Sequence, residues 1–203
     1  MQKSAKTPVK RLRRTAESAR TQALVSARQL LLAQGPDAVT LQAVASELGM
    51  THTNLIHHFG SAAGLQTALM REMVAELTAA IEQAVRRLRT GEGTITDFVD
   101  IVFDAYDSGG AGRLAAWIML SGASDQLAPV GEVVRTCLQN VERTSEAAPD
   151  GLHERITSAT LLVAIAAFGD AVIGDQLRTM VGSERGAVRG IVSDLLSHVL
   201  TPA

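Results

Sequence analysis

Residues 39–59, VTLQAVASELGMTHTNLIHHF, hold two short amphipathic segments separated by a glycine. Apolar residues of the first segment recur at spacings of three and four, which places them on one face of a helix: Leu41, Val44, Ala45 and Leu48. Thr40 precedes this segment and can cap the helix, while Gly49 follows it and can adopt the left-handed backbone that ends a helix. The pattern predicts a helix over residues 41–48, followed by a short turn.

The second segment begins at Thr51, which can cap a third helix in which Leu55 and Phe59 face inward one turn apart. Two helices joined by a three-residue turn containing glycine are typical of a helix-turn-helix, whose second helix fits the DNA major groove. Backbone N–H groups near Thr40 and Gln42 can meet a phosphate at the start of the first helix. The polar side chains of the second segment are the predicted DNA contacts: Thr51, His52, Thr53, Asn54, His57 and His58.

Charge is divided unevenly along the chain, although the net charge is only -2. Residues 1–60 contain eight Lys or Arg and three Asp or Glu, a balance of plus five, and the remainder carries minus seven. A basic N-terminal part on an acidic body favours contact of that part with a polyanion. The predicted phosphate contacts of the basic arm are Lys10, Arg11, Arg13 and Arg14. The alternative is a solvated leader that binds nothing.

Residues 20–65 resemble the DNA-binding domain of the tetracycline-repressor (TetR/AcrR-type) family, through the segments ALVSARQLLLAQG and VTLQAVASELGMTHTNLIHHFGS and through Leu65. Two positions depart from the family pattern: Ile56 stands where a phosphate-contacting tyrosine is usual, and Ala62 stands where a lysine is usual. Loss of two phosphate contacts is expected to weaken DNA binding and to flatten its salt dependence. We expect His57 or the basic arm to supply replacements.

The chain is expected to be all-α, with an N-terminal three-helix helix-turn-helix domain and a C-terminal helical domain for ligand binding and dimerisation. The predicted division is a basic arm over residues 1–14, the DNA-binding domain over 15–60 and the C-terminal domain over 61–203. Its first helix, from Ser61 to about Arg89, is the strut that the resemblance implies between the domains. Further helices are predicted from apolar periodicity and Gly or Pro breaks, over residues 94–107, 112–121, 129–146, 151–179 and 184–200.

The two last predicted helices, residues 151–179 and 184–200, are apolar on more sides than one subunit easily covers. The resemblance implies a homodimer in which these helices pair into a four-helix bundle. The alternative is a monomer in which both helices form core.

A small-molecule pocket is implied by the resemblance, and the scarce aromatic residues and several methionines of the body are its candidate lining. Packing in a plain core is the alternative for each of them. Asp170 is a candidate polar anchor, or it pairs with an arginine such as Arg113, or it lies exposed beside Gly169. The candidate pocket residues are Met70, Met73, Phe98, Phe103, Tyr106, Arg113, Trp117, Met119, Phe168 and Asp170.

Other classes of protein find little support. The single cysteine, Cys137, permits no intramolecular disulfide and no multi-cysteine zinc site. No two of the histidines at positions 52, 57 and 58 stand three or four residues apart, so that no helix face presents a pair of metal ligands. We therefore expect no metal, no cofactor and no enzymatic activity. The apolar run over residues 161–169 is shorter than the roughly 20 residues that a membrane helix needs. A cytoplasmic protein without a membrane partner is expected.

The predicted function is a ligand-responsive transcriptional regulator, a repressor that binds a pseudo-palindromic operator in double-stranded DNA as a homodimer and responds to a small-molecule effector. The alternative is a dimeric small-molecule-binding or protein-interaction module with weakened DNA affinity, which the residues at positions 56 and 62 would favour.

Overall fold

The structure is a computed structural model that describes residues 16–128, 130, 131, 135 and 152–200. The basic arm and nearly all of the predicted helix over residues 129–146 lie outside the described residues. The regular structure of the described part is entirely helical, as expected, with two short 3-10 turns at Pro36–Ala38 and Ser124–Leu127. Its helices are α1 (Ala16–Gln34), α2 (Leu41–Leu48), α3 (His52–Phe59), α4 (Ala62–Thr90), α5 (Ile95–Tyr106), α6 (Ala111–Leu120), α7 (Leu152–Val181) and α8 (Ala187–Leu200).

Side-chain caps begin three of the first four helices. The hydroxyl oxygen of Thr40 accepts the Ala43 N–H of α2 at 3.1 Å, and that of Thr51 accepts the Asn54 N–H of α3 at 3.3 Å. Ser61 caps α4 in the same way, accepting from Gly64 at 3.0 Å. Each cap satisfies a backbone donor that the first turn leaves without a helical partner. These local interactions explain why the sequence predicts the starts of α2, α3 and α4 to within a residue.

The turn between α2 and α3 depends on Gly49, whose φ of 60° lies in the left-handed region. Replacing Gly49 by alanine is expected to lower the free energy of unfolding by about 1–2 kcal/mol, because a Cβ disfavours this backbone conformation even though it would meet no atom within 4 Å. Urea unfolding followed by circular dichroism measures the change. Gly169 lies within α7 and its Cβ would also meet nothing, so Gly169→Ala should be neutral or stabilising. Equal midpoints for the Gly49→Ala variant and the unmodified protein would contradict the prediction.

The N-terminal core does not end with α3. Buried residues of α1, α2 and α3 form one cluster with residues of α4 and α6. The contributions of α4 include Leu65 and Leu69, and those of α6 are Leu114 and Ile118, all of them fully or almost fully buried. The division predicted at residue 60 therefore does not coincide with a gap in packing. The first three turns of α4 belong to the same packed unit as α1, α2 and α3, which are together called the head.

A second core joins α5, α7 and α8, and includes Phe103, Val163 and Leu196. Ion pairs add to the contact between α5 and α8: Arg189 reaches Asp100 at 3.1 Å and Asp104 at 2.8 Å. The Arg189 guanidinium also lies over the Phe103 ring, 5.3 Å from its centroid. Because these groups are partly exposed to water, packing contributes more to this contact than the charges do.

Candidate DNA interface, ligand cavity and subunit surface

The outer face of α3 is polar and open to solvent. The side chains of His52, Thr53, Asn54 and His57 are exposed, as is that of the cap residue Thr51. Leu55 and Phe59 face the opposite way and are buried. The amphipathic division predicted from the sequence is present, with the polar side chains gathered at the N-terminal half of the helix. This is the half that reaches base edges when such a helix lies in a major groove.

Side-chain contacts from α1 fix the position of α3. The guanidinium of Arg20 donates a hydrogen bond to the His58 backbone carbonyl at 3.0 Å and lies 4.7 Å from the centroid of the Phe59 ring. Ser26, which is buried, donates a hydrogen bond to the Glu47 carboxylate on α2. Sequence reasoning counted Arg20 as part of a diffuse basic charge and missed its contact with α3. Half-buried His58 is thus part of the α1–α3 contact through its backbone and is less accessible than His57.

The remaining predicted DNA contacts are placed as follows. Gln42 is exposed on the first turn of α2, while Thr40 is half-buried and its hydroxyl oxygen is already engaged as the cap. The arm residues from Lys10 to Arg14 lie outside the described residues. Gln42 and the free N–H groups beside it are therefore the part of the α2 terminus that is open to a phosphate.

A cavity of about 740 Å³ lies in the C-terminal part of the chain and is lined by residues of α4, α5, α6, α7 and α8 together with Leu127 and Val130. This volume is within the range of roughly 300–1,000 Å³ that small-molecule sites occupy. Six of the ten predicted pocket residues line it: Met70, Met73, Phe98, Tyr106, Met119 and Phe168. The ring of Tyr106 meets that of Phe168 edge-on, with centroids 6.4 Å apart.

Four predicted pocket residues do not line the cavity. Phe103 points into the core between α5, α7 and α8, because the apolar face of α5 is divided between that core and the cavity. Trp117 and Arg113 are exposed on α6, whose inner side is occupied by smaller residues. Asp170 is not part of the cavity lining and lies instead against Arg178, further along α7. The structure thus places these four residues outside the cavity lining.

Asp170 pairs with Arg178 and not with Arg113. The two side chains lie along α7 above Gly174, where a Cβ would be 2.5 Å from a carboxylate oxygen of Asp170 and 2.8 Å from a guanidinium nitrogen of Arg178. The missing side chain of Gly174 thus makes room for the ion pair. Arg178 also binds Asp175 at 2.5 Å, and that hydrogen bond lowers the pKa of the Asp175 carboxyl.

The α4 side of the cavity includes residues that sequence reasoning assigned to the strut alone. Leu77, Ile81, Val85 and Leu88 line the cavity, although their spacing of three and four is the same for a helix packed on a solid core. The sequence signal for this part of the cavity was the length of the apolar face of α4, which continues well past the residues that pack against the head.

A large apolar surface is exposed along α7 and α8. Leu161 and Ile165 of α7 and Ile191 of α8 each expose 60% of their surface. The stretch Glu154–Val181 of α7 is long and apolar enough to cross a membrane, judged by length and composition alone. Its most apolar 18-residue segment has a mean hydropathy of 2.0, and 17% of that segment is buried. This composition does not by itself assign a membrane span, since a helix that is covered by another subunit has the same composition. Isolated exposed leucines are ordinary, but a continuous apolar face of this size marks a contact surface.

The part of the chain that the structure describes contains no candidate metal-binding site. Within it, no three His, Cys, Asp or Glu side chains are grouped so that they could hold an ion. The three histidines of α3 all lie on or near its outer surface.

Comparison with known families identifies the N-terminal unit. Residues 23–69 match the family of bacterial regulatory proteins described as tetR. The match covers these residues alone, which are called the tetR-family domain. The resemblance noted from the sequence is confirmed, and the matched range extends into α4, in keeping with the shared core of α1 to α4. A domain of this family is a DNA-binding unit of transcriptional regulators.

The full-length fold has solved counterparts at low identity. A Saccharomonospora viridis protein, described as a candidate transcriptional regulator in complex with choline, has a TM-score of 0.57 and 16% identity over 90% of this chain and 97% of that one. A protein described as superantigen PfiT has a TM-score of 0.53 and 18% identity over 93% of this chain and all of that one. No curated protein matches the sequence significantly. Since the two counterparts carry different descriptions, the shared fold does not by itself specify a function.

The two residues that depart from the family pattern, Ile56 and Ala62, lie at or near the surface of the tetR-family domain. Ile56 exposes 40% of its surface on α3, beside the polar side chains, and Ala62 is half-buried at the first position of α4. Both positions are thus accessible to a duplex that approaches α3, but neither side chain can donate a hydrogen bond to a phosphate.

Proposed function

We propose that the protein is a ligand-responsive transcriptional repressor of the cytoplasm that binds a pseudo-palindromic operator as a homodimer. One observation carries the proposal: polar side chains at the N-terminal half of α3 are exposed to solvent on a tetR-family domain, while the opposite face of α3 is packed in its core. Thr53, Asn54 and His57 can donate or accept hydrogen bonds at base edges. The exposed Ile56 can still pack against a thymine methyl group.

Support for the dimer comes from the exposed apolar face of α7 and α8. A two-fold axis that pairs this face with itself would bury it in a four-helix bundle, and such self-complementary contacts are the usual way in which soluble homodimers form. A dimer carries two α3 helices, so that it would bind two half-sites related by the same axis.

Two connections join the cavity to the tetR-family domain. Helix α4 lines the cavity through Leu77 and Ile81 and enters the head core through Leu65 and Leu69. An ion pair between Arg28 of α1 and Glu76 of α4, at 2.5 Å, adds a contact on the surface.

Helix α6 is the second connection, one that sequence reasoning did not identify. Ala111, Ala115 and Met119 line the cavity, whereas Leu114 and Ile118 belong to the head core. At the start of α6 the backbone passes so close to α1 that a Cβ on Gly110 would be 2.9 Å from a methyl carbon of Leu32. A ligand that shifts α6 would therefore press on α1 directly.

The response to ligand follows from these connections. If the ligand binds more tightly to a form in which the two α3 helices are wrongly spaced, operator affinity falls by the difference in binding free energy. A coupling of roughly 1–3 kcal/mol changes affinity by about 5- to 150-fold. In the proposed response, ligand binding releases the protein from its operator.

Selection of binding sites from random DNA duplexes tests the proposal. We expect enrichment of an inverted repeat whose half-site centres lie about one helical turn, or a multiple of it, apart. The same selection with a protein lacking residues 1–14 measures the contribution of the basic arm, which should strengthen binding without changing the selected sequence. Recovery of no common sequence would overturn the proposal and favour the alternative module that binds small molecules or proteins.

A further inference from the structure

The cavity wall has a consistent chemical character. Among the described residues, the wall contains no charged side chain, and its polar side chains are those of Thr78, Tyr106 and Thr160. All other lining residues are aliphatic, aromatic, alanine or methionine. Because a buried ion without a partner is strongly disfavoured, such a wall discriminates against a charged ligand.

Two of the three hydroxyl groups are already used. Thr78 donates to the Val74 carbonyl at 2.8 Å, and Thr160 donates to the Ile156 carbonyl at 2.8 Å. Each bond lies within its own helix, so that neither hydrogen is available to a ligand without breaking it.

Tyr106 differs from both threonines. Its side chain is half-buried at the cavity, and no hydrogen bond of its hydroxyl is found within the described ranges. Burial raises the pKa of Tyr106 above its usual value, so the phenol keeps its proton at neutral pH and remains a donor. The described part of the wall thus offers one hydrogen-bond donor in an apolar surrounding.

The cavity is also long. Its lining along α4 extends from Met70 to Leu88, which is about 27 Å of helix at 1.5 Å per residue. A ligand that contacts most of this wall must be extended, with carbon along most of its length.

Resting on the proposed ligand-responsive function, we propose that the effector is a neutral, elongated, mainly hydrocarbon molecule with a hydrogen-bond acceptor, such as an ester, ketone or amide oxygen, that accepts from the Tyr106 hydroxyl. Among the wall residues that the structure describes, an anion of the same length meets no cation and a cation meets no carboxylate. For the cation, contact with the faces of Phe98 and Phe168 offsets only part of its lost hydration.

Three probes of equal chain length test this proposal: methyl dodecanoate, dodecanoate and dodecyltrimethylammonium. Titration calorimetry with the full chain, at probe concentrations below micelle formation, should give at least about tenfold tighter binding of the ester than of either ion, since burying an unpaired charge opposes the ions alone. Equal or tighter binding of an ion, or no binding of the ester, overturns the proposal.

Matched hydroxyl deletions test the role of Tyr106. Tyr106→Phe should weaken ester binding by about 3- to 10-fold, the range expected for one lost hydrogen bond. Thr21→Val removes a hydroxyl that is bound within α1 and does not line the cavity, so that it should leave ester binding unchanged. Thermal unfolding establishes that both variants remain folded. Equal ester affinity for Tyr106→Phe and the unmodified protein would remove Tyr106 as the anchor and overturn that part of the proposal.

Operator binding separates this inference from the function on which it rests. If a selected inverted repeat is bound in the absence of any probe, the DNA-binding proposal stands whatever the calorimetry gives. If no sequence is selected but the ester binds with the expected preference, the ligand class stands and the regulatory function fails.

Discussion

Replacing Leu161 by aspartate is expected to convert the protein from dimer to monomer at micromolar concentration. Leu161 exposes 60% of its surface on the apolar face of α7, and the proposed two-fold contact would bury it in both subunits. An aspartate there would place two unpaired carboxylates in an apolar interface, at a cost of several kcal/mol for each. Sedimentation equilibrium measures the mass directly.

Loss of the dimer should also weaken operator binding. A monomer holds a single α3 helix and must bind each half-site independently, so that it loses the gain from linking two contacts, which reaches about 100-fold or more. Leu120→Asp is the matched control, since Leu120 exposes 88% of its surface on α6 and is not part of the proposed contact surface of α7 and α8. Retention of the dimer by Leu161→Asp, or an equal loss in Leu120→Asp, would place the subunit contact elsewhere.

Replacing both Thr53 and His57 by alanine is expected to lower operator affinity by about 100- to 1,000-fold. The two side chains lie one turn apart on the exposed face of α3, and a dimer presents each of them twice. A side-chain contact to a base edge contributes about 1–3 kcal/mol when its geometry is good, and partial contacts contribute less. Fluorescence anisotropy with the selected operator measures the affinity.

The double variant should lose discrimination more than general DNA affinity, because contacts to base edges specify sequence whereas contacts to phosphates do not. Gln83→Ala with Thr96→Ala is the control, as both side chains are exposed polar groups of α4 and α5, away from the head. If the α3 variant bound operator and scrambled duplex as the unmodified protein does, α3 would not be the element that reads the sequence.

The head could be predicted closely because its determinants are local. Thr40, Gly49 and Thr51 set the ends of α2 and α3 through caps and backbone conformation, and each acts within three residues of its own position. Arg20 was missed because its partners on α3 are far along the chain. A basic residue on an amphipathic helix gives no sequence signal of the carbonyl that it will bind.

The cavity could be predicted in kind but only partly in its residues. Phe98, Phe103 and Tyr106 are all aromatic residues of one short helix, yet Phe103 enters the second core while the other two line the cavity. Apolar periodicity marks the buried side of α5 but does not divide that side between two neighbours, which depends on where α4, α7 and α8 lie. Tertiary packing decided the division.

The ion pair of Asp170 could have been predicted in part from the sequence. Its partner Arg178 stands two helical turns later on the same helix, with Gly174 between them. Spacings of four residues place all three on one face, so that the small residue flanked by opposite charges was a usable signal. The connection through α6 had no comparable signal, because Leu114 and Ile118 contact the head only through the tertiary fold.

The most direct test of DNA recognition is an anisotropy titration of the unmodified protein with an inverted-repeat duplex from the random selection, against a scrambled duplex, at two salt concentrations. We expect tighter binding to the inverted repeat by about 1,000-fold or more, with an affinity for both duplexes that falls as salt rises. Equal affinity for the two duplexes, or no binding to either at low salt, would contradict it.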